Sequence, residues 1–315
     1  MTGHTVGIDI SKAHLDACAL PGGVTARFSN DAARFRRLMA WIGPDTDRVA
    51  YEPTGPWPRD LEETLLGAGV PIYAIDPYQV RCFARSRGRR AKTDAVDART
   101  LAQMAAAIDD LRPTRAMSRT RRDLAELQLV RDALVADRTA TLNRGRHLRH
   151  DLSRRVNDER LGQIEDQLKR VDGEIRKLLG SEEKLKRTSE ILTSIPGVSD
   201  VTAAGLIVHM PELGTLSGPR AASLAGLAPV TRESGNWKGR AFIQGGRGKV
   251  RRALYMPALA AIRWNPGLRR KYDALLAAGK PPKVALIAVM RKLIVLANAL
   301  VQQDRLWTPE PPVAA

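Results

Sequence analysis

The sequence predicts an α/β domain with a mixed sheet, followed by a helical coiled-coil insertion and a mostly α-helical domain. Three observations support this prediction. Short apolar runs alternate with amphipathic segments over residues 1–112, which is the order of an α/β domain. Residues 118–188 are polar and poor in Gly and Pro, as long helices are. From residue 191 onward the chain is rich in arginine and lysine, so we predict domains at 1–112, 113–190 and 191–315.

The first domain is predicted to alternate strands and helices. A three-strand meander is followed by a helix and a fourth strand, and then by a further helix, strand and helix. The predicted strands cover residues 6–10, 14–20, 24–28, 48–51 and 70–75. The predicted helices cover residues 31–41, residues 58–67 and a segment that begins at residue 94. We expect residues 81–92 to form an exposed connection to this last helix.

The middle domain carries apolar residues at alternating intervals of three and four, which is the spacing of a coiled-coil seam. The seam residues are Leu161, Ile164, Leu168, Val171, Ile175 and Leu178. A preceding helix would form the second, antiparallel arm, with the turn at residues 156–159. The seam can pack against this arm or against a second copy of the chain. Its regularity favours the second copy.

The segment LTSIPGVSDVTAAGLIVHM, near the start of the last domain, is similar to a helix-hairpin-helix. In that motif, backbone N–H groups at the turn receive a phosphate. Ser199 stands where the motif usually has its second glycine, so the similarity is partial. Basic helices are expected around residues 249–264 and 281–303.

The charge of the chain indicates an anionic polymer as its partner. The chain carries 51 Lys and Arg against 34 Asp and Glu, which gives a net charge of +17. Residues 191–315 hold 17 of these basic and 6 of these acidic residues, or +11 of the total. Aromatic residues make up only 4% of the chain, which argues against a stacking surface that reads single-stranded RNA.

Cysteine content and hydropathy bear on the compartment. Cys18 and Cys82 cannot build a disulfide framework or a cysteine-based zinc site, and this fits a reducing cytoplasm. The stretch MTGHTVGIDIS does not have the pattern of a secretory signal. Since no window of about 18 residues is apolar throughout, the sequence predicts no membrane partner.

Four acidic residues stand at positions that suggest chemistry. Asp9 interrupts the apolar run VGIDIS, and a carboxylate in a buried strand is unfavourable unless it is paired or bound to a metal. Glu52 ends the fourth predicted strand, and Asp94 and Asp97 lie one turn apart on the next predicted helix. Such oxygen ligands suit Mg²⁺. Two ions about 4 Å apart would clamp the attacking and leaving oxygens of a phosphodiester.

A group of cationic residues precedes the Asp94 and Asp97 pair. Its members are Arg81, Arg85, Arg87, Arg89, Arg90 and Lys92. These side chains would hold nucleic-acid phosphates beside the acids and offset the repulsion between the acids and a polyanion. The alternative is an exposed disordered loop, which is compatible with binding because such loops commonly order on a ligand. Charge alone does not distinguish DNA from RNA.

Ser234 lies in a glycine-rich, basic segment of the last domain. The cations around it are Arg232, Lys238, Arg240, Arg247, Lys249, Arg251 and Arg252. A serine in such a loop commonly caps a turn, and no histidine-based triad is visible nearby. A serine hydroxyl can nevertheless attack a phosphodiester when a metal or a carboxylate activates it and arginines stabilise the phosphorane.

Taken together, these segments resemble the DEDD insertion-sequence transposases, which include relatives of the pilin-gene invertase Piv and bridge-RNA-guided recombinases. The resemblance covers residues 3–305 and rests on GIDISKAHLD, YEPTG, KTDAVDA, IPGV and LAGLAPVTRESGNWKGR. It implies a RuvC-like RNase H fold for the first domain. It also implies that the four acids are catalytic and bind Mg²⁺, with Mn²⁺ as a substitute.

The resemblance further implies a covalent role for Ser234, which would attack the DNA and form a serine–DNA phosphodiester. Members of the family often have Gln before this serine, whereas this chain has Glu233. The implied partners are double-stranded DNA at the element ends and at the target, a structured guide RNA, and further copies of the chain in a dimer or tetramer. The implied location is the bacterial cytoplasm, at the nucleoid.

Two other functions remain open from the residues alone. In a RuvC-like junction nuclease, a metal-activated water would attack the DNA and Ser234 would be incidental. In an architectural protein, the basic last domain would bind DNA without chemistry. Substitution of Ser234 and dependence on Mg²⁺ separate these functions from a recombinase.

Overall fold

The computed structural model describes residues 4–53, 55, 57–88, 94–235 and 237–309, without the side chains of residues 94, 95, 237 and 238. The chain divides into two units, Met1–Met117 and Ser118–Ala315. Each unit has its own buried apolar core. The division at residues 112 and 190 stays a prediction, and the two units are described separately below.

The first unit contains a five-stranded mixed sheet, as predicted. Its strands are β1 (His4–Ile10), β2 (His14–Leu20), β3 (Val24–Ser29), β4 (Thr46–Tyr51) and β5 (Ile72–Ala74). Their order across the sheet is β3-β2-β1-β4-β5. The first three strands are antiparallel, whereas β4 is parallel to β1 and β5 is parallel to β4. Strands β1 and β4 therefore end at the same edge.

Helices cover both faces of this sheet. They are α1 (Phe35–Ile42), α2 (Arg59–Gly67), α3 (Pro77–Ser86) and α4 (Asp94–Ala107), and a short 3₁₀ turn (Ala32–Arg34) precedes α1. On one face, Ile8 and Tyr51 pack with Leu38 and Leu61 from α1 and α2. On the other face, α3 and α4 pack over Ala50. The alternation of side chains along β1 and β4 separates these two cores.

Helix α3 corrects the expected exposed connection, because residues 77–86 are helical. Asp76 caps the helix by accepting hydrogen bonds from the backbone N–H groups of Tyr78 (2.8 Å) and Gln79 (3.2 Å). Pro77 occupies the first helical turn, where its missing N–H has no cost. The dipeptide Asp76-Pro77 is therefore a helix-start signal that can be recognised in the sequence. Arg89, Arg90 and Lys92 lie outside the described residues.

The second unit is mostly helical. Its helices are α5 (Arg119–Gly145), α6 (Asp151–Leu179), α7 (Glu183–Thr193), α8 (Asp200–His209), α9 (Gly218–Leu224), α10 (Gly248–Ala253), α11 (Tyr255–Trp264), α12 (Pro266–Ala277) and α13 (Pro282–Gln302). Four two-residue strands lie between α9 and α10: β6 (Pro229–Val230), β7 (Glu233–Ser234), β8 (Trp237–Lys238) and β9 (Phe242–Ile243).

Helices α5 and α6 form an antiparallel hairpin, and ion pairs connect the two helices. Arg131 donates to Asp172 at 2.6 Å, and Arg138 donates to Glu165 at 3.1 Å. The predicted turn at residues 156–159 was wrong, because those residues lie within α6 and the turn is at 146–150. A Cβ on Gly145 would lie 2.9 Å from Asn157 Nδ2, so α6 already runs back beside the end of α5 at that point.

The predicted seam of α6 lies in or beside the hydrophobic packing of this second unit. Ile164 and Ile175 are fully buried, and Leu168, Val171 and Leu178 are half-buried. The end of the hairpin also joins the main core, where Leu124 of α5 packs among residues of α7 to α13. Packing within one chain therefore accounts for the seam pattern.

Helix α13 is long and apolar enough to cross a membrane by length and composition. Half of its apolar window is buried inside the protein. Val289, Leu293, Ile294 and Leu300 belong to the core of the second unit. The helix therefore serves as a core helix, and its apolar character follows from this burial.

Candidate active site

Two of the predicted acids stand at neighbouring strand ends. In the parallel register, Gly7 pairs with Ala50 and Ile8 pairs with Tyr51, so the next positions along β1 and β4 are Asp9 and Glu52. Both acids are half-buried. Because side chains alternate along a strand, Asp9 shares a face with Gly7, and Glu52 shares that face with Ala50. This is the face that α4 covers.

Close packing at Gly7 brings α4 against this face. A Cβ at Gly7 would overlap the carbonyl oxygen of Ala98 and the amide nitrogen of Ala102. Only a glycine allows a helix backbone to approach a strand this closely. The contact places the first half of α4 beside the middle of β1.

Arg48 fixes the direction of α4. Its guanidinium donates hydrogen bonds to the carbonyl oxygens of Ala105 (2.8 Å) and Ile108 (2.7 Å), so the end of α4 lies near the start of β4. The helix therefore runs opposite to β1 and β4, and its first turn points toward Asp9 and Glu52. Asp97, in this first turn, is half-buried. Three predicted acids thus share one edge and one face of the sheet.

The residues at this edge fit a divalent ion in their chemistry. Asp9, Glu52 and Asp97 offer carboxylate oxygens, which hard divalent cations prefer. Asp94 begins α4 in the same helical turn, but its carboxylate lies outside the described side chains. Among the side chains that the structure describes, no group of three or more His, Cys, Asp or Glu residues is close enough to hold a metal ion.

Sequence patterns did not identify a fifth acid at this edge. Asp16 of β2 pairs directly with Asp9 of β1, and Arg27 of β3 pairs with Asp16. Arg27 Nε and Nη2 donate to the two carboxylate oxygens of Asp16 at 2.9 and 3.0 Å. Asp16 is only 8% exposed. The strand register was the missing information, because it alone brings residues 9, 16 and 27 side by side.

The end of β4 is held by a buried tyrosine. Tyr51, immediately before Glu52, donates a hydrogen bond from its hydroxyl to Glu62 Oε1 at 2.6 Å. Burial and the negative charge of Glu62 raise the pKa of the Tyr51 phenol above its ordinary value. The phenol therefore stays protonated and keeps the backbone before Glu52 in place.

The cationic group near the acids is partly described. Arg81 and Arg85 project from α3 and are exposed, and the guanidinium of Arg87 lies 5.4 Å from the centre of the Phe83 ring. Lys12, which follows β1, lies 5.7 Å from the Trp57 ring. These exposed cations belong to the same unit as the acids, which is what electrostatic attraction of a polyanion requires.

Ser234 lies near the end of a projecting β-arm in the second unit. Strand β6 pairs with β9 at the base of the arm, and β7 pairs with β8 further out, so that Ser234 faces Trp237 in the register. Gly235 follows with φ of +56°, a conformation that favours glycine at the turn. Ser234 is exposed. An exposed hydroxyl at this position is accessible to a large substrate.

Two of the predicted phosphate-binding arginines hold the base of this arm. Arg247 donates to both carboxylate oxygens of Glu212, at 2.6 and 2.7 Å, and to the carbonyl oxygen of His209. Arg251 donates to the carbonyl oxygens of Gly226 (3.2 Å) and Gly245 (2.9 Å). Their contact with nucleic acid stays a prediction, but their hydrogen bonds give both arginines a structural role.

The other predicted cations of this segment are exposed, pack on an aromatic ring or lie outside the described side chains. Arg240, Lys249 and Arg252 are exposed. The Arg232 guanidinium stacks 4.6 Å from the centre of the Phe242 ring at the base of the arm. The side chain of Lys238 lies outside the described set.

Two transposase families match separate segments of this chain. A family described as DEDD transposase of the IS110 type matches residues 6–150, and the transposase family IS116/IS110/IS902 matches residues 189–273. A pilin gene-inverting protein of Moraxella bovis is 26% identical over 312 residues, which cover 95% of this chain and 96% of that protein.

Two further relatives come from insertion elements. The 43.6 kDa protein of insertion element IS110 of Streptomyces coelicolor is 33% identical over 47% of this chain and 36% of that protein. The transposase of insertion sequence element IS1111A of Coxiella burnetii is 23% identical over 73% of this chain and 70% of that protein. The acidic edge lies within the first matched segment and Ser234 lies within the second.

Proposed function

Because the chain belongs to the IS110 family of insertion-sequence transposases, we propose that it cuts and rejoins DNA at specific sites through a covalent serine intermediate. Members of this family act on DNA as recombinases or transposases. The observation that supports the chemistry most strongly is the meeting of β1, β4 and the first turn of α4 at one edge. This edge is rich in carboxylates, and the chain that carries it is otherwise strongly basic.

We propose that Asp9, Glu52, Asp94 and Asp97 are catalytic residues that hold Mg²⁺, with Mn²⁺ as a functional substitute. The family implies a divalent ion, and the donor set is made of carboxylates alone. When bound, the ion would lower the pKa of an attacking hydroxyl and stabilise negative charge on the phosphate oxygens. The acids themselves orient the site, because the packing at Gly7 fixes α4 against β1.

Ser234 is the proposed nucleophile. Its oxygen would form a bond to a DNA phosphorus while one DNA oxygen leaves as a free hydroxyl and the serine proton passes to a base. The phosphodiester energy is kept in the serine–DNA bond, so a hydroxyl of a second DNA end can reverse the step and release the serine. The exposed position of Ser234 on the β-arm supports this role.

We propose that cations in both units contact nucleic acid. Those of the first unit are Arg81, Arg85, Arg87, Arg89, Arg90 and Lys92, and those of the second are Arg232, Lys238, Arg240, Arg247, Lys249, Arg251 and Arg252. The partners are double-stranded DNA and a structured guide RNA. The concentration of positive charge after residue 191 supports a polyanionic partner.

The finer architecture is also proposed. The sheet order β3-β2-β1-β4-β5 supports a RuvC-like RNase H fold for residues 1–112. The α5–α6 hairpin supports a coiled-coil domain at 113–190. In the domain at 191–315, the turn between α7 and α8 supports a helix-hairpin-helix-like segment, because Gly197 there has φ of +95°. We place the protein in the bacterial cytoplasm, at the nucleoid.

Ser234→Ala tests the nucleophile. A plasmid that carries the two recombination sites is incubated with wild-type protein, Ser234→Ala and the neighbouring variant Thr231→Ala, and the junctions are counted. We expect Ser234→Ala to lose at least about 10³-fold in recombination, and Thr231→Ala to stay within a few-fold of wild type. If Ser234→Ala still cleaves DNA at the wild-type rate while Asp97→Asn does not, the protein is a metal-dependent nuclease.

The guide is tested separately by sequencing the RNA that purifies with the protein from its native host. One dominant species encoded beside the gene is expected. A mixture of ribosomal and transfer RNA would contradict guidance and leave an unguided recombinase.

A further inference from the structure

An exposed tryptophan lies on the loops that border the acidic edge of the first unit. The β1–β2 turn, the loop after β3 and the loop after β4 all leave the sheet at the edge where Asp9 and Glu52 lie. Asn30 joins these loops, because its Nδ2 donates to the carbonyl oxygens of Ser11 (2.9 Å) and Trp57 (3.3 Å). The backbone of Trp57 is therefore held beside this edge.

The indole ring of Trp57 is accessible to a ligand. The residue is 40% exposed. A Cβ on Gly55 would lie 3.4 Å from the ring atoms Cδ1 and Nε1, so the ring packs against this glycine, whose φ is +62°. Lys12 Nζ lies 5.7 Å from the centre of the ring. An exposed aromatic ring beside a cation is the combination on which a nucleic-acid base stacks while its phosphate meets a positive charge.

Three arginines at the start of α1 extend this surface. They are exposed and line a surface cavity of about 410 Å³, and they are Arg34, Arg36 and Arg37. Arg34 Nη1 donates to Ser29 Oγ at 3.3 Å, which places this guanidinium at the end of β3. The 3₁₀ turn that contains Arg34 also contacts α2, the helix that follows Trp57. The cavity and the ring thus border the same edge of the sheet.

We propose that Lys12, Trp57 and these three arginines bind an unpaired DNA strand beside the cleavage site, with one base stacked on Trp57 and phosphates against the cations. This inference rests on the proposed function, since it assumes that the reacting phosphate lies at Asp9 and Glu52. Lys12 follows Asp9 by three residues, a path of at most about 11 Å, so the surface is continuous with the acids.

The state of the strand follows from the chemistry of stacking. A base inside a duplex is stacked on both of its neighbours and offers no face to a protein ring. A base at an opened or cut end offers its face, and exchange of DNA ends requires such a state. The surface would therefore hold the cut end in place before it is rejoined.

The experiment is photocrosslinking of the full chain to DNA that carries the recombination site and is cut at the cleavage position. One base near the cut is replaced by 5-iodouracil, which on irradiation forms a bond to an aromatic ring stacked on it. EDTA is present, so that the result requires neither the metal nor the chemistry of Ser234. The proteins are wild type, Trp57→Ala, Trp57→Phe and the control Val24→Ala, at a residue that is 58% exposed at the opposite end of β3. Urea unfolding verifies that each variant is folded.

We expect a crosslink on the peptide that contains Trp57 with cut DNA and none with the uncut duplex. Trp57→Ala should lose this crosslink and bind the cut DNA about 5- to 150-fold more weakly, which is the loss of one stacked base. Trp57→Phe should keep most of both, and Val24→Ala should match wild type. Substitution of the three arginines by Gln should lower the slope of log affinity against log salt concentration by about 2, whereas Trp57→Ala should leave the slope unchanged.

Two results would overturn the inference: a crosslink elsewhere on the chain without one at Trp57, or a Trp57 crosslink that forms with iodouracil-labelled copurifying RNA and not with cut DNA. In either case a Ser234–DNA adduct formed with Mg²⁺ would still establish the proposed function. A Trp57 crosslink to cut DNA in a protein that forms no such adduct would support the binding surface and contradict the proposed nucleophile.

Discussion

At the scale of single residues, the candidate site depends on a glycine as much as on its acids. Gly7 lets the backbone of α4 lie directly against β1, at the level of Ala98 and Ala102. The side chain of Asp9, two residues further, then faces the first turn of α4. A glycine at this position therefore sets the distance between the strand acid and the helix acids.

We predict that Gly7→Ala destabilises the protein by at least about 1–3 kcal/mol, because the new methyl group would overlap the α4 backbone. The free energy of unfolding in urea measures this loss. Gly67→Ala is the matched control, since a Cβ there meets nothing within 4 Å and alanine favours a helix. Equal stability of the two variants would contradict the packing of α4 on β1.

The protonation of His209 also belongs to this scale. Burial and the positive charges of Lys249, Arg247 and Arg252 lower the pKa of His209 to about 4, although Asp132 acts in the opposite direction. The folded protein therefore disfavours the charged imidazole, whose ordinary pKa is about 6.5. Its contribution to stability is complete above pH 6.5 and is lost as the pH falls toward 4.

We predict that the unfolding midpoint of the wild-type protein falls between pH 6.5 and 4 by more than that of His209→Gln, which cannot gain this proton. Thermal unfolding followed at pH 7, 6, 5 and 4 measures the difference between the two proteins. Parallel pH profiles would show that His209 titrates normally.

At the scale of elements, the β-arm with Ser234 is held at its base by backbone contacts and by arginines. The backbone N–H of Arg247 donates to the Leu224 carbonyl oxygen at 2.7 Å, and the Arg247 guanidinium donates two hydrogen bonds to the Glu212 carboxylate. A Cβ on Gly246 would overlap the backbone of Gly226, so the two glycines meet closely. The base of the arm is therefore fixed by hydrogen bonds and close packing to the region of α8 to α10.

We predict that Arg247→Met costs about 1–3 kcal/mol of stability, because it removes a bidentate charged hydrogen bond that is about one-third exposed. Hydrogen exchange should accelerate at residues 244–247 above the global rate. Arg252→Met, at an exposed side chain on α10, which begins just after Arg247, serves as the control and should stay within about 0.5 kcal/mol of wild type. Unchanged exchange in Arg247→Met would refute the anchoring.

Much of the element pattern could be predicted because the strands of the first unit are short, apolar and separated by turns. The second strand, at residues 14–20, agrees with the structure in both of its ends. The turn at 146–150 could not be found so easily, because it contains neither Gly nor Pro, whereas Asn157 and Asp158 look like turn residues. Asn157 is instead buried within α6.

The candidate site could also be predicted only in part, because sequence patterns do not show which residues of different strands pair. Residue type and strand ends pointed to Asp9 and Glu52, because a carboxylate after an apolar run is conspicuous. Asp16 and Arg27 are ordinary charges on predicted strands until the register of β1, β2 and β3 is known. Pairing between strands is a non-local property, and a single sequence does not reveal it.

At the scale of the whole molecule, the α5–α6 hairpin leaves apolar side chains uncovered. Val135 and Leu142 on α5, and Leu152 and Val156 on α6, are 38% to 56% exposed. Single exposed apolar residues are ordinary, but sets spaced by one or two helical turns form faces. We propose that a second copy of the chain covers these residues, to give the dimer that a tetramer can be built from.

We predict that the double variant Leu152→Lys and Val156→Lys lowers the mass of the protein in light scattering from that of an oligomer to that of a monomer. Placing lysines on the same face opposes its burial in a dimer without removing a core residue. Lys substitution of Val24, which is 58% exposed in the other unit, should leave the mass unchanged. A wild-type protein that is already monomeric at working concentration would contradict the proposal.

The most direct test of the whole account is to trap the protein on DNA and identify the bonded residue. Wild-type protein is mixed with a DNA that carries the recombination site and a nick beside the cleavage position, with Mg²⁺ present, and is then denatured, digested and analysed by mass spectrometry. The account predicts a nucleotide attached to the peptide that contains Ser234, absent in EDTA, in Asp97→Asn and in Ser234→Ala. Cleaved DNA with no protein attached, or an adduct on another residue, would contradict it.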